Sequence, residues 1–209
     1  MLRIISALSV VAFLAGCVNS SVSSVPGVRL SADAHAAHCP AYRKGSGLLP
    51  DGDFQQAIDP GTYYKTFSKG QKLAPHWKVT VLNINFVGTK FWNFDHLCSV
   101  DLDGESAVGG IENPSFPTKK GAAYVLSFLL SGNSYCASTT KKMRVSVGNK
   151  SVLFKWLDAN GHSVQYGIFG KRSLKFNATN STSTLKFTSL DPPHSGCGPV
   201  VGGISVTAA

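Results

Sequence analysis

Short apolar segments separated by turn residues recur along most of this chain, and this spacing constrains the fold more than any other feature. From about Cys39 onward, strand-like runs return roughly every ten residues, bounded by Gly, Pro, Asn and Asp. Met143, Val145 and Val147 alternate with polar residues, as in a strand with one buried face. No segment carries a sustained apolar period of 3.6 residues, so an all-β sandwich is predicted.

The individual strands can be placed from the same pattern. They are predicted at residues 77–87, 97–102, 124–130, 143–147, 152–156, 174–178 and 185–187. Trp77 and Trp156 fall within these runs and are expected in the core. Gly202 and Gly203 interrupt a last apolar run near the C-terminus, where they predict a bulge or a close approach of the backbone.

The N-terminus has the pattern of an export signal. Arg3 is followed by an apolar run over residues 4–14 that is too short to span a bilayer, and then by Ala15, Gly16 and Cys17. This ending resembles the lipobox of bacterial lipoproteins, which implies cleavage before Cys17 and acylation of its sulfur. The alternative is an ordinary signal peptide with a chance cysteine at its end. Because Val18 stands where an inner-membrane signal shows Asp, the expected address is the outer membrane.

The remaining cysteines fit an exported protein. Cys39, Cys98, Cys136 and Cys197 form an even set with no close C-x-x-C spacing of the kind zinc sites use. Two disulfides are therefore expected, and the spacing alone leaves three pairings open.

The charge balance indicates an acidic partner. The formal net charge is +9 at pH 7, which favours acidic polysaccharide, lipopolysaccharide phosphate or nucleic acid. However, the cations stand in separate pairs such as Lys119-Lys120 and Lys141-Lys142, which is also typical of a solvated basic surface. Export makes nucleic acid the least fitting of these partners, so none is expected.

Several phrases occur together in an order that resembles a known family. They are LLPDGDF at residues 48–54, HWKV at 76–79, SVDLDG at 99–104, GGI at 109–111, GAAYVLSF at 121–128, MRVSVG at 143–148, FNAT at 176–179, LKFTSL at 185–190 and CGPV at 197–200. Together they resemble the bacterial choice-of-anchor C proteins and the related domain of unknown function 642, best known from plant cell walls. The resemblance runs from about residue 48 to 206. It implies a galactose-binding-like jelly roll that associates with cell-wall or extracellular polysaccharide without catalysis, and in plants also with wall-modifying enzymes.

The resemblance also bears on disulfides and metals. The family commonly joins Cys136 to Cys197, which leaves Cys39 and Cys98 as the second pair. Jelly-roll binding modules often hold a structural Ca²⁺ between the first and last strands, where this chain offers Asp51 and Asp53. Relatives carry acidic residues where this chain has Gly202 and Gly203, and Ca²⁺ needs several oxygen ligands. Calcium is therefore disfavoured, and no metal or cofactor is expected.

No catalytic constellation stands out. The chain lacks G-x-S-x-G, G-x-x-x-x-G-K-[ST] and H-E-x-x-H. Asp101 and Asp103 fall on one face of a strand, as a glycosidase carboxylate pair could. The preferred interpretation is that they flank the Asp-Gly turn at Gly104, and the chain is not expected to be an enzyme.

Sugar binding needs flat aromatic faces together with polar groups that fix hydroxyls. The stretch at residues 91–96 mixes aromatic, amide, carboxylate and imidazole side chains, and loop tyrosines occur elsewhere. The predicted ligand-binding residues are Trp92, Asn93, Asp95, His96, Tyr64 and Tyr135. The alternative is that residues 91–96 form a strand with a buried aromatic face.

The sequence thus predicts a signal peptide at residues 1–16, a lipidated tether at 17–38 and a jelly-roll domain at 39–209. The predicted function is non-catalytic binding of envelope or extracellular carbohydrate, acidic polysaccharide included, by a protein held to the membrane through its N-terminal lipid. The alternatives are a lipoprotein that binds a protein partner, as an adhesin or assembly factor does, and a glycoside-active enzyme.

Overall fold

The architecture comes from a computed structural model, which describes residues 39–40, 47–61, 63–89, 97–105, 107–133, 136, 140–157, 169–193 and 196–209. Within these residues the secondary structure consists of strands and turns. The strands are β1 (Tyr64–Ser68), β2 (Lys72–Ala74), β3 (Trp77–Val81), β4 (Asn83–Val87), β5 (Ser99–Asp101), β6 (Gly110–Pro117), β7 (Ala123–Gly132), β8 (Thr140–Val147), β9 (Lys150–Leu157), β10 (Gly170–Asn177), β11 (Thr182–Ser189) and β12 (Pro199–Ala208).

The strands form two six-stranded antiparallel sheets. The first sheet has the order β1-β4-β5-β12-β7-β10, and the second has the order β2-β3-β6-β11-β8-β9. From β5 onward most connections cross from one sheet to the other, which gives a jelly-roll β-sandwich. This confirms the predicted fold class. No helix in the described ranges is long and apolar enough to cross a membrane.

The core lies between the sheets because alternate residues of each strand point inward. Met143, Val145 and Val147 of β8 are fully buried, as their alternation predicted. Phe187 of β11 contacts Trp77 at 6.4 Å and Phe128 at 5.3 Å between ring centroids. All twelve strands, both disulfides and this core lie within one compact unit, Ala34–Ala209. Residues 34–209 therefore contain the whole described fold.

Some predicted strands needed correction. The run at residues 77–87 breaks at Leu82, so that β3 enters the second sheet while β4 enters the first. The break is invisible in the apolar pattern because both halves bury residues in the same core. Strands β1, β2 and β6 were not predicted, since Lys, Asn and Pro dilute their apolar content.

The last strand contains the predicted bulge. The pairing of β12 with β7 shifts register between Gly202 and Ser205, and Gly203 has a φ of 53°, which favours glycine. Beside this bulge the segment before β1 packs along β12, because β5 pairs only with Val200 and Val201. The amide of Leu48 donates to the Val206 carbonyl at 2.8 Å, within a short parallel bridge.

Two disulfides fasten the sandwich. Cys39 is bonded to Cys98 and Cys136 to Cys197, with Cα–Cα distances of 5.5 and 5.8 Å. This is the pairing that the family resemblance implied. The first bond joins the start of the domain to β5, and the second joins the end of β7 to the start of β12.

Candidate functional site

The outward face of the first sheet carries a groove of about 350 Å³, here called the first-sheet groove. Strands β7, β10 and β12 form it, together with the turn before β1. Its described lining residues are Asp53, Ser127, Phe128, Leu129, Lys171, Arg172, Ser173, Gly203, Ile204 and Ser205. A groove of this size falls within the range that protein ligand sites occupy.

Three serines cross the groove in one row. Ser173 of β10 pairs with Ser127 of β7, which pairs in turn with Ser205 of β12. Because Leu126 and Phe128 point into the core, the Ser127 side chain between them points outward. Neighbouring strands lie about 4.8 Å apart, so the row presents hydroxyl groups at regular steps. Each hydroxyl can both donate and accept a hydrogen bond, which is what sugar hydroxyls require.

At the glycine bulge next to the groove, β12 lies close to β5. A Cβ at Gly202 would lie 3.2 Å from the Cys98 carbonyl oxygen and 3.4 Å from the Cβ of Ser99. Ser99 is buried on the same face, and its Oγ has no protein hydrogen-bond partner among the described residues. Glycine at position 202 therefore allows β12 to pass close to the backbone of Cys98 and to Ser99.

The turn before β1 supplies an acidic wall. Asp53 lines the groove near Gly203, so the structure brings together the two places where the sequence sought metal ligands. Asp51 and Phe54 hold φ values of 56° and 58° in this turn. Burial raises the pKa of Asp51, against the Gln56 amide that donates to its Oδ1 at 3.0 Å. Among the described residues, no cluster of three or more His, Cys, Asp or Glu could hold a metal ion.

Asp101 lies near the disulfide end of the same sheet and ties three segments together. Its Oδ1 accepts hydrogen bonds from the amides of Asp103 at 2.9 Å and Gly198 at 3.0 Å, and its Oδ2 accepts from Asn133 Nδ2 at 2.9 Å. Asn133 also donates to the Gly196 carbonyl. A Cβ at Gly198 would lie 2.6 Å from Asp101 Oδ1, so glycine is required where the chain passes the carboxylate.

The Asp101 carboxyl is buried among these hydrogen-bond donors. The residue is 1% exposed, and burial raises the pKa of its carboxyl to about 7 even though three donors favour the charged form. Asp103 is also buried. Asp103 forms an isolated antiparallel bridge with Val108 around Gly104, while the Asp101 carboxyl is enclosed by the segments at Asn133 and Gly198.

The predicted ligand residues are only partly described. Tyr64 was expected in a loop, but it begins β1; it is 39% exposed, and its hydroxyl lies 3.5 Å from Glu105 Oε1. It sits on the first sheet's edge strand, at the opposite end of the strand order from β10. Four residues of one stretch and two others lie outside the described residues and stay predictions: Trp92, Asn93, Asp95, His96, Tyr135 and Cys17.

Sequence reasoning missed the serine row. A single serine in a strand carries no signal, and the three come from strands far apart in the chain. Only their register, which depends on tertiary pairing, aligns them.

The tryptophan predictions are confirmed. Trp77 is buried in the core, and Trp156 packs against the core beneath the Arg172 guanidinium, which lies 5.1 Å from the ring centroid.

Solved structures with a similar course of the chain include carbohydrate-binding modules. CBM35 from Paenibacillus barcinonensis is 14% identical, with a TM-score of 0.44, and the match covers 69% of this chain and 99% of that one. A family 35 carbohydrate-binding module from Clostridium thermocellum is 18% identical, with a TM-score of 0.43 and coverage of 63% and 92%. TmCBM61, solved with β-1,4-galactotriose, is 9% identical, with a TM-score of 0.43 and coverage of 79% and 100%.

None of the curated proteins compared with this chain matches it. The model of a family described as "Protein of unknown function (DUF642)" matches residues 47–207, which includes every strand from β1 to β11 and nearly all of β12. The chain therefore belongs to the DUF642 family.

Proposed function

We propose that this protein is a non-catalytic carbohydrate-binding protein of the cell envelope, and that the first-sheet groove is its binding site. The observation that carries the proposal is the row of hydroxyls from Ser127, Ser173 and Ser205 on a rigid sheet. Strand-borne groups are held more firmly than loop-borne ones, so a sugar would meet them at little cost in conformational entropy.

The groove also offers charged groups of both signs. Lys171 is exposed at one wall, while Asp53 is buried at the other. An ammonium group suits the carboxylate of an acidic sugar, and a carboxylate accepts hydrogen bonds from sugar hydroxyls. We therefore propose an acidic polysaccharide as the preferred ligand, which the net charge of +9 also favours.

The aromatic platform of the site is proposed to come from the stretch at residues 91–96, chiefly Trp92. This stretch follows β4 and precedes β5 in the sequence, and both are strands of the first sheet. Ring faces pack against the C–H surfaces of sugars, and the groove's described residues do not supply an exposed ring of their own.

A glycan array probed with residues 34–209 tests the function. We expect retention of uronate-containing glycans. The double variant Ser127→Ala/Ser173→Ala should lose about tenfold in affinity, on the order of 1 kcal/mol for the lost hydrogen bonds. Ser146→Ala/Ser151→Ala is the matched control, because these serines form a hydroxyl pair at 3.1 Å on the second sheet. No binding across the array, or equal losses in both variants, would contradict the proposal.

The lipid anchor forms the second part of the proposal. Cys17 follows small residues after an apolar run, as in bacterial lipoproteins, and the chain resembles the choice-of-anchor C proteins. Acylation there would hold the domain at the outer membrane through a tether. Metabolic labelling with palmitate should mark the native protein and leave a Cys17→Ser variant unlabelled. Equal labelling of the two would exclude this anchor.

A further inference from the structure

The outward face of the second sheet is strongly cationic. Alternation places six cationic side chains on it, against the single carboxylate of Glu112 among the described residues of its strands. The six cations are Lys72, Lys78, Lys142, Arg144, Lys155 and Lys186. In the sequence these residues stand apart, and the pairing of β2, β3, β6, β11, β8 and β9 brings them together.

The cations are not evenly neutralised across this face. Glu112 binds Lys78 at 3.2 Å and Lys186 at 2.6 Å, near the middle of the sheet. At the edge, the hairpin of β8 and β9 sets Lys142 directly opposite Lys155, with Arg144 two residues along. Among the described residues no carboxylate forms an ion pair with these three. Asp191 lies nearby, and its Oδ1 accepts from the backbone amide of Lys142 at 2.6 Å.

Like charges directly opposite each other on a sheet are destabilising. The β8–β9 hairpin keeps such a pair at the exposed edge of the sandwich, where a Glu or Thr on either strand would fit the fold better. The arrangement favours an anionic surface as its partner, since an anion relieves the repulsion when it binds.

Two leucines lie among these cations. Leu153, opposite Arg144, is 47% exposed, and Leu157, opposite Thr140, is 65% exposed. Both point away from the core, because Phe154 and Trp156, on the opposite face of β9, pack inward. Exposed leucines interleaved with cations form a surface that gains from contact with both apolar and anionic groups.

We propose that the outward face of the β8–β9 hairpin docks on an anionic lipid surface. Lys142, Arg144 and Lys155 would contact lipid phosphates, and Leu153 and Leu157 would enter the boundary between headgroups and acyl chains. Cationic side chains near such a surface each add to binding, and apolar side chains bury there. This docking is separate from acylation of Cys17 and from the first-sheet groove.

The leucines decide between a membrane and other polyanions. An acidic polysaccharide would use the cations but has little to offer two exposed aliphatic side chains. Single-stranded nucleic acid binds through rings that stack on bases, and the exposed large apolar residues of this hairpin are both leucines. A lipid surface accounts for the cations and the leucines together.

Sedimentation of residues 34–209 with vesicles tests the proposal, because this fragment lacks both the apolar N-terminal run and Cys17. We expect binding to vesicles that contain phosphatidylglycerol, little binding to pure phosphatidylcholine, and weakening as salt rises. Lys142→Gln/Lys155→Gln and, separately, Leu153→Thr/Leu157→Thr should each lower the partition coefficient at least tenfold.

Matched controls come from elsewhere on the domain. Lys119→Gln/Lys120→Gln removes two exposed charges from a turn, and Leu82→Thr removes a leucine that is 54% exposed between β3 and β4. Both should bind vesicles within about twofold of the native protein. Leu157→Trp supplies a further readout: on docking its emission should shift to the blue by more than that of the native protein, whose Trp77, Trp92 and Trp156 also emit.

Three results would overturn the docking surface. They are equal binding to charged and neutral vesicles, equal losses in the hairpin and control variants, and an emission of bound Leu157→Trp that shifts no more than that of the bound native protein. Loss of dextran sulfate retention in Lys142→Gln/Lys155→Gln, with no effect of the leucine changes on retention or on vesicle binding, would assign the face to an anionic polysaccharide instead.

Discussion

The buried carboxyl of Asp101 should make the stability of the domain depend on pH. Its pKa rises from an ordinary 3.8 to about 7 because burial outweighs the three hydrogen bonds that it accepts. Between these values the native protein keeps a proton that the unfolded chain has released. The stabilisation is therefore complete below about pH 4 and is lost as the pH rises through about 7.

The size of the effect follows from the shift. One pKa unit corresponds to about 1.4 kcal/mol, so a rise of roughly three units is worth about 4 kcal/mol in the free energy of unfolding. Asp101→Asn carries no titrating group at this position. Its different hydrogen bonds add an offset that does not vary with pH. The stability of the native protein minus that of Asp101→Asn should thus fall by about 4 kcal/mol between pH 4 and pH 8.

Urea unfolding of residues 34–209 at several pH values, with both disulfides intact, measures this difference. Glu112→Gln is a control of opposite sign. Burial raises the pKa of Glu112, but hydrogen bonds from Lys186 and Lys78 outweigh it and leave the pKa below its usual 4.5. The free energy of unfolding of the native protein should therefore increase relative to that of Glu112→Gln as the pH rises toward 4.5. A native-to-Asp101→Asn difference that stays constant from pH 4 to 8 would refute the reasoning.

Three further changes test the fold and the site. Replacing both Cys136 and Cys197 by Ser opens a bond between residues 61 apart, which should cost about 4 kcal/mol in urea unfolding; a loss under about 1 kcal/mol would contradict the chain-entropy argument. Phe187→Ala, in the centre of the core, should cost about 3–5 kcal/mol, and an unchanged urea midpoint would contradict the burial of this ring. Trp92→Ala should weaken glycan binding on the array while leaving the thermal midpoint unchanged, and undiminished affinity would remove this ring from the site.

The strands could be predicted where one face is buried and the other is wet. In β8, Met143 and Val147 point inward and Arg144 points outward, and the sequence shows this directly. The break at Leu82 could not be seen, because β3 and β4 face the same core from opposite sheets. A period-two pattern reports which residues are buried, but it does not report which sheet buries them.

The candidate sites depend on register more than on local sequence. Lys141 and Lys142 looked like one basic pair, yet Lys141 is buried on the inward row and Lys142 faces solvent opposite Lys155. The serine row and the cationic hairpin arise only when distant strands pair. The glycine bulge at Gly202 was predictable, since glycine in a strand marks a backbone requirement whatever the partner strand is.

The two proposed surfaces have a geometric consequence for each other. In a two-layer sandwich the outward faces of the sheets point in opposite directions, so the β8–β9 face and the first-sheet groove lie on opposite layers. If the second sheet rests on lipid, the groove opens away from the membrane, toward envelope polysaccharide. Both ligands should then bind together, and vesicle-bound protein should retain the glycan affinity of free protein. Competition between vesicles and glycan would place the two ligands on one surface and remove this division of roles.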